Sequence, residues 1–491
     1  MNLLPGNKKY WIFLICVMEL LVAEEGAQSR FLPFVIACAF FMYGLDTTIV
    51  ATALPRIALT FHTSPVRLST AVTAYLVSLA VFIPMSGWMS DRYGAKLVFS
   101  SAICLFTLSS VLCGLSNDLF ELTAMRVLQG MGGAMMIPVG RLVVLRSVPK
   151  SQYVHAMMMV LIPAQIGPVM GPLVGGFITT YISWRWIFLI NAPIGMIGLI
   201  CALVFIQNYR ESQRPPFDWI GFVLSGSCLF CLMSGFVSIG RDLTDWEIPA
   251  VLVGCGAAIG VLLTLHSQRK PHPLIDFSLL RIPTFRVNVV AGSFFRSGFG
   301  TATFVLPLLF QVVFGMSALT SGSLTFVTAL GAIGSRAMIS RLLKWFGYRN
   351  ILLRNAFFYA VTISLCALFT QTTPKWFILF IIFLGGVSRM LQNNSLNTLA
   401  YADVISTKMS NATSLAQLAQ QLGQALGVAV PALILQCATA WRGETHLSRS
   451  DFQITFFLIA AISLLSVPEL FGLPKNAGYE VSGNSLSAKE E

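Results

Sequence analysis

From Phe31 onward the chain is a series of long apolar segments, near residues 31–54, 70–90, 97–116, 121–145, 154–178, 185–206, 219–238, 248–267, 286–310, 319–343, 351–371, 376–400, 411–437 and 452–472. Each has the length, about 20 residues or a little more, at which a helix crosses a hydrocarbon core about 30 Å thick. Without water to satisfy backbone groups, such segments are helices or strands of closed barrels, and runs this long and this apolar are helical. The pattern predicts an all-α integral membrane protein of about fourteen helices joined by short loops. Only 11% of the 491 residues are charged and 56% are hydrophobic; a soluble domain carries about 25% charged residues, so little soluble mass remains.

Residues 10–23 form a shorter apolar run, interrupted by Glu19 and preceded by Lys8 and Lys9. Three readings stay open for it: an interfacial segment, an additional weak helix, or sequence upstream of the true start. Placing the start of the 31–54 helix in the cytoplasm puts seventeen Lys and Arg on that side and seven on the other. That bias predicts cytoplasmic termini for the helical body, in the inner (cytoplasmic) membrane. The net charge of +12 is then explained by basic loops facing anionic lipid, and no nucleic-acid partner is expected. The ten cysteines lie in apolar runs; Cys228-x-x-Cys231 has no second pair, so these read as packing residues and no metal or cofactor is expected.

The chain repeats itself. Arg126-Val-Leu-Gln129 returns as Arg389-Met-Leu-Gln392, the turn Asp91-Arg92-Tyr93-Gly94-Ala95-Lys96 as Lys344-Trp-Phe-Gly-Tyr-Arg349, and Pro55 as Pro307, at offsets close to 250–265 residues. Two six-helix bundles with two helices inserted between them reproduce that spacing. The expected division is an N-terminal extension (1–30), a first bundle (31–209), an insertion with its basic loop (210–284), a second bundle (285–472) and a disordered cytoplasmic tail (473–491). Parallel repeats of this kind place a substrate site between the halves near the membrane midplane.

Asp46, in Leu45-Asp-Thr-Thr-Ile-Val50, falls near the middle of the first segment. A carboxylate there costs at least about 2.5–3.5 kcal/mol on insertion scales, so it is paired or functional. Arg126 is equally costly in the fourth segment and shares a helix face with Gln129, three residues on. Asp46 is the one acid clearly inside the first bundle, which makes it the counter-charge of Arg126, either as a proton-coupling pair or as a structural ion pair. No G-x-x-x-x-G-K-[ST] loop occurs, so transport would be driven by an ion gradient. No nucleophile–base pair is evident, and an enzyme is not expected. A non-transporting membrane sensor is the remote alternative.

Gly87-Trp-Met-Ser-Asp91-Arg92-Tyr-Gly94-Ala-Lys96 fits G-x-x-x-D-R-x-G-x-K in a short turn. Here the chain resembles the major facilitator superfamily. The resemblance implies that Asp91 latches the two halves in one state, with Arg141 as the candidate partner. Lys344 stands where the second-half acid would be, so the latch is one-sided. Gly167-Pro168-x-x-Gly171-Pro172-x-x-Gly175-Gly176 repeats small residues every four positions, a face suited to close helix packing, and resembles the antiporter signature of drug:proton exporters. With Trp184 to Gly195 and Leu45 to Pro55, it looks like the fourteen-helix drug:proton antiporter branch, nearest its MdtD-like multidrug-resistance transporters. The implied activity is proton-coupled export of drugs or toxic metabolites by alternating access. The implied partners are a small-molecule substrate, protons and the lipid bilayer, with a periplasmic adaptor an open option, and the implied state is monomeric.

The second half suggests another substrate class. Arg296, Arg336 and Arg389 lie inside expected segments with no Asp or Glu read opposite them. Snorkelling to an interface would account for some of them. Otherwise they form a cationic cavity wall, completed by Gln129, Gln392, Asn393, Asn397 and neighbouring amides. Arginine's planar fork binds carboxylates bidentately, so the alternative is an exporter of organic anions such as di- or tricarboxylates, citrate-like molecules or their metal chelates. His155 reads as interfacial.

Overall fold

The structure is a computed structural model that describes residues 25–63, 65–207, 216–239, 247–443 and 447–482. The 10–23 segment therefore lies outside the described residues. The principal helices are α1 (Glu25–Thr60), α2 (Pro65–Tyr93), α3 (Ala95–Leu115), α4 (Leu119–Ser147), α5 (Tyr153–Tyr181), α6 (Asn191–Phe205), α7 (Trp219–Ile239), α8 (Glu247–Arg269), α9 (Pro283–Arg296), α10 (Ala318–Gly334), α11 (Arg336–Cys366), α12 (Lys375–Leu399), α13 (Met409–Arg442) and α14 (Arg449–Leu464). No strand occurs among the described residues.

Local chemistry sets several helix ends. Asp118 caps α4 by accepting from the Glu121 N–H at 2.7 Å, and Glu121 in turn accepts from the Asn117 N–H at 2.9 Å. Ser448 and Asp451 form a capping box on α14. The two copies of the repeated turn share one backbone feature: Gly94 has φ 95° and Gly347 has φ 69°, values that glycine adopts without steric cost. The sequence echo thus has a physical cause at that position.

Packing repeats as well. α1 lies along α5, α2 along α4, and α3 against α4 and α6; in the second half α9 lies along α13, α10 along α12, and α11 against α12 and α14. α7 and α8 form a hairpin whose α7 rests on α2 and α13. Between the halves, α13 meets α2 and α4, and α5 meets α10 and α12.

Among the described residues, ten helices are long and apolar enough to cross a membrane, or twelve if each of two bent pairs is one span. The expected fourteen are not confirmed by length and composition: the 286–310 segment is interrupted by turns, and the 319–343 and 351–371 segments form a single bent pair that runs through the non-helical Gly347. The 286–310 segment runs as α9, a 3-10 turn at Ser297–Phe299 and two π turns around Leu306–Leu308. Gly300 presses on the Gly427 carbonyl, and Pro307 removes a backbone donor. The 319–343 segment has a break near Ser335, and α11 is itself two helices joined at the non-helical Gly347 (φ 69°, ψ 167°).

The apolar core is arranged asymmetrically. At the Asp91 end one buried cluster joins both halves, from Val98 and Val143 to Leu399 and Met409. At the opposite end each half has its own cluster, one around Ile49, Ile57 and Phe188, the other around Phe310, Phe369 and Phe456. The tail also differs from expectation. Val481 and Leu473 are buried, and the Glu480 carboxylate meets Lys150 of the first half at 2.7 Å. Residues up to Ser482 are thus docked where disorder is expected, because Val481 brings an apolar side chain to a polar stretch; 483–491 lie outside the described residues.

Candidate functional site

Asp46 sits on α1 where that helix meets α5 backbone to backbone. A Cβ on Gly167 would lie 2.6 Å from the Leu45 nitrogen and 2.7 Å from the Phe41 carbonyl, and one on Gly171 would strike Thr48. Thr48 donates to the Pro168 carbonyl at 2.9 Å. The small-residue stripe therefore holds the turn of α1 that carries Asp46. α5 bends by 45° between Pro168 and Leu173. Gly175 is buried, but nothing lies within 4 Å of where a Cβ on Gly176 would be, so Gly176 does not join the stripe. The Pro172 side chain lies outside the described residues.

Asp46 is wholly buried and fully engaged. Arg126 Nη1 donates to its Oδ2 at 2.6 Å, Gln129 Nε2 to its Oδ1 at 2.9 Å, and Asn191 Nδ2 to the same oxygen at 3.4 Å. Arg126 Nη1 also donates to Gln129 Oε1 at 2.6 Å, and its guanidinium lies over the Tyr75 ring, 4.5 Å from the centroid. Asn191 is the first residue of α6. Asn191 also donates to Ser110 Oγ at 3.0 Å. The i, i+3 spacing of Arg126 and Gln129 placed both on one carboxylate, but that engagement takes Gln129 out of the expected cavity wall. Asn191, Ser110 and Tyr75 were missed: neutral polar groups in apolar runs carry no charge that demands a partner.

At the other end of the bundle the last turns of α2 meet the first turn of α13. Asp91 accepts a short hydrogen bond from Ser410 and lies 3.7 Å from Arg146. A carboxylate at a helix N-terminus is favoured by the helix dipole. Gly87 permits the approach, since its Cβ would stand 2.9 Å from Ser414 Oγ and 3.0 Å from the Ser410 carbonyl. Ser86 and Ser414 meet at 2.9 Å across the same seam. The expected Asp91–Arg141 latch is thus corrected: Arg141 donates to Gln420 Oε1 at 2.8 Å, itself a bond between halves, and Arg146 is the arginine beside Asp91. Arg92 stacks on Trp88 at 5.3 Å, and Lys96 is half-buried just beyond Gly94. In the second-half copy Lys344 is exposed.

The second-half arginines separate. Arg296 is fully buried and its recorded partners are neutral: the Asn288 carbonyl at 3.0 Å, Asn288 Oδ1 at 2.8 Å and Asn393 Oδ1 at 3.4 Å. Arg389 is half-buried over the Phe299 ring at 5.3 Å and lines a small cavity of about 30 Å³. Arg336 opens α11, and its side chain lies outside the described residues. Gln392 faces α11, accepting from Asn355 Nδ2 at 2.8 Å and donating to the Leu352 carbonyl at 3.2 Å, so it does not join the cavity wall. Asn394 and Asn397 are buried with amides lacking partners among the described residues, as are Nε and Nη1 of Arg141. Glu469, inside the last expected segment, is engaged with Arg286 at 3.1 Å. His155 is exposed, in keeping with an interfacial place. No group of three or more His, Cys, Asp or Glu fit to hold a metal occurs among the described residues.

The Major Facilitator Superfamily profile matches residues 36–428. A putative multidrug resistance protein MdtD of Pectobacterium carotovorum subsp. carotovorum (strain PC1) is 36% identical over 454 residues, covering 90% of this chain and 96% of that one. Its namesake in Escherichia coli O6:H1 (strain CFT073) is 38% identical, covering 90% and 93%. The folds of the human organic anion transporter MFSD10 (TM-score 0.61, 15% identity, 90% of this chain and 99% of that one) and the proton:xylose symporter XylE (0.63, 14%, 95% and 100%) are similar to this one. At those identities the likeness concerns the fold alone. The expected kinship with MdtD-like proteins is met, and the chain belongs to the major facilitator superfamily, a multi-pass membrane transporter of small molecules and not an enzyme.

Proposed function

We propose that the protein is a proton-coupled antiporter that exports drugs or toxic metabolites across the inner membrane by alternating access, with cytoplasmic termini and the division into two bundles and an insertion described above. The observation that carries this reading is the wholly buried Asp46–Arg126 pair at 2.6 Å, set in a stripe of close helix packing. Access of water to that carboxylate in one state and its burial in another would change which protonation state is favoured. Protonating Asp46 removes the charge that holds Arg126, so proton binding and helix arrangement become linked. Gly87, Asp91, Arg92, Gly94, Lys96 and Arg141 form the gate at one end, consistent with a core shared there and divided at the other.

A second reading, export of organic anions such as di- or tricarboxylates or their metal chelates, is favoured by one observation. Arg296 is buried among neutral partners, and Arg141 keeps two buried nitrogens without partners among the described residues. Buried cations are costly without counter-charge. Both reach one stripe of α13: Arg141 bonds Gln420, and the Arg296 side chain packs where a Cβ on Gly423 would be, 3.1 Å away. Flux in inverted vesicles under an imposed pH gradient, comparing ethidium with citrate, tests the two readings. Uptake of ethidium alone supports drug export, uptake of citrate alone supports the second reading, and gradient-driven uptake of neither refutes both.

A further inference from the structure

A separate crevice of about 350 Å³ lies where α2, α13 and the inserted α7 meet. Leu76 of α2, Met233, Phe236 and Val237 of α7, and Gln421 with Val428 of α13 line it. The volume is that of a small-molecule site, and the composition is typical of one: apolar walls with few polar groups. No charged side chain lines it. Gln421 is only 6% exposed, shows no hydrogen bond among the described residues, and lines the crevice without being sealed off from it. Among apolar walls such an amide is costly unless a ligand or water pairs with it; an acyl chain cannot.

We propose that this crevice binds an uncharged amphiphilic small molecule, whose carbonyl or hydroxyl pairs with Gln421 while its apolar body lies against Met233, Phe236 and Val237. An ion would enter without a counter-charge, which the low-dielectric walls penalise. The inserted hairpin is then part of the recognition surface and not a spacer. The site is one residue removed from two networks already described. Leu76 follows Tyr75, which stacks on Arg126, and Gln421 follows Gln420, which bonds Arg141. The inference rests on the export reading, to which it adds an uncharged class of substrate bound apart from cations such as ethidium.

The test is equilibrium binding of tritiated chloramphenicol, an uncharged amphiphile with amide and hydroxyl groups, to the full chain in nanodiscs. Wild type is expected to bind saturably. Val237→Trp, which fills the crevice, should abolish binding, and the near-isosteric Gln421→Leu should weaken it about tenfold, the scale of one lost hydrogen bond. Val261→Trp, on an exposed face of α8, should bind as wild type does. Tetraphenylphosphonium and citrate should not compete. Absence of saturable binding, unchanged binding by both crevice variants, or competition by either ion overturns the proposal. Gradient-driven efflux is measured with the same variants in inverted vesicles. Efflux with binding indifferent to the variants refutes the crevice alone, whereas binding that follows the variants without efflux refutes the export reading alone.

Discussion

Gly87 offers a direct handle on the seam between the halves. In the structure a Cβ at this position stands 2.9 Å from Ser414 Oγ and 3.0 Å from the Ser410 carbonyl, tighter than ordinary contact. Ser414 is itself held by Ser86 at 2.9 Å, and Ser410 by Asp91, so neither neighbour yields freely. Overpacking of this sort costs about 1–3 kcal/mol. The cost falls only on the arrangement in which α2 and α13 touch, so Gly87→Val should shift the population away from it by about 5- to 150-fold, at 1.4 kcal/mol per tenfold. Spin labels at Leu97 and Ile405, exposed positions on opposite halves at this end, report the change by pulsed dipolar spectroscopy in a background whose native cysteines are replaced. The expected result is a longer distance becoming dominant in Gly87→Val. An unchanged distance distribution in a folded variant would refute the claim that this seam opens and closes.

Asp46→Asn should destabilise the fold by about 3–5 kcal/mol, because it leaves Arg126 buried without its counter-charge, and adding Arg126→Gln should recover most of that loss in thermal unfolding scans. In the insertion, burial pushes the Asp218 carboxyl up, but the Gly221 N–H, His266 and the Leu274 N–H outweigh it and hold it below the usual carboxylate range. Its contribution to the hairpin is present above the unfolded value of about 3.9 and lost as pH falls through the lower folded value. Hydrogen exchange near Gly221 and Leu274 should therefore rise on acidification, and Asp218→Asn should already show fast exchange at neutral pH. Deleting residues 473–491 exposes the surfaces that Val481 and Leu473 cover and removes the Lys150–Glu480 pair; a lower melting temperature is expected, and an unchanged one would mean that the docked tail contributes no stability.

What the sequence revealed followed the cost of charge. Asp46 and Arg126 lie 80 residues apart yet were paired in advance, because each is too expensive in an apolar segment to stand alone. The repeat was legible through Gly94 and Gly347, where a positive φ restricts the choice of residue. Three things were hidden. The partner of Arg141 depends on how the halves meet, and that geometry leaves no periodic trace in either half. Asn191, Gln392 and Asn355 are neutral amides, whose partners no charge argument identifies. The breaks around Gly300, Pro307 and Ser335 are invisible to hydropathy, which averages across them; among the described residues ten to twelve helices are long and apolar enough to span, against fourteen segments read.

The central claim is that Asp46 carries the exchanged proton. Ethidium movement in inverted vesicles, measured for wild type and Asp46→Asn with and without a pH gradient, tests it most directly. Wild type should accumulate ethidium under the gradient and lose that accumulation when a protonophore is added. Asp46→Asn should show no gradient-driven accumulation while still exchanging ethidium at zero gradient, which separates lost coupling from a lost fold. Gradient-driven accumulation by Asp46→Asn at the wild-type rate would contradict the account.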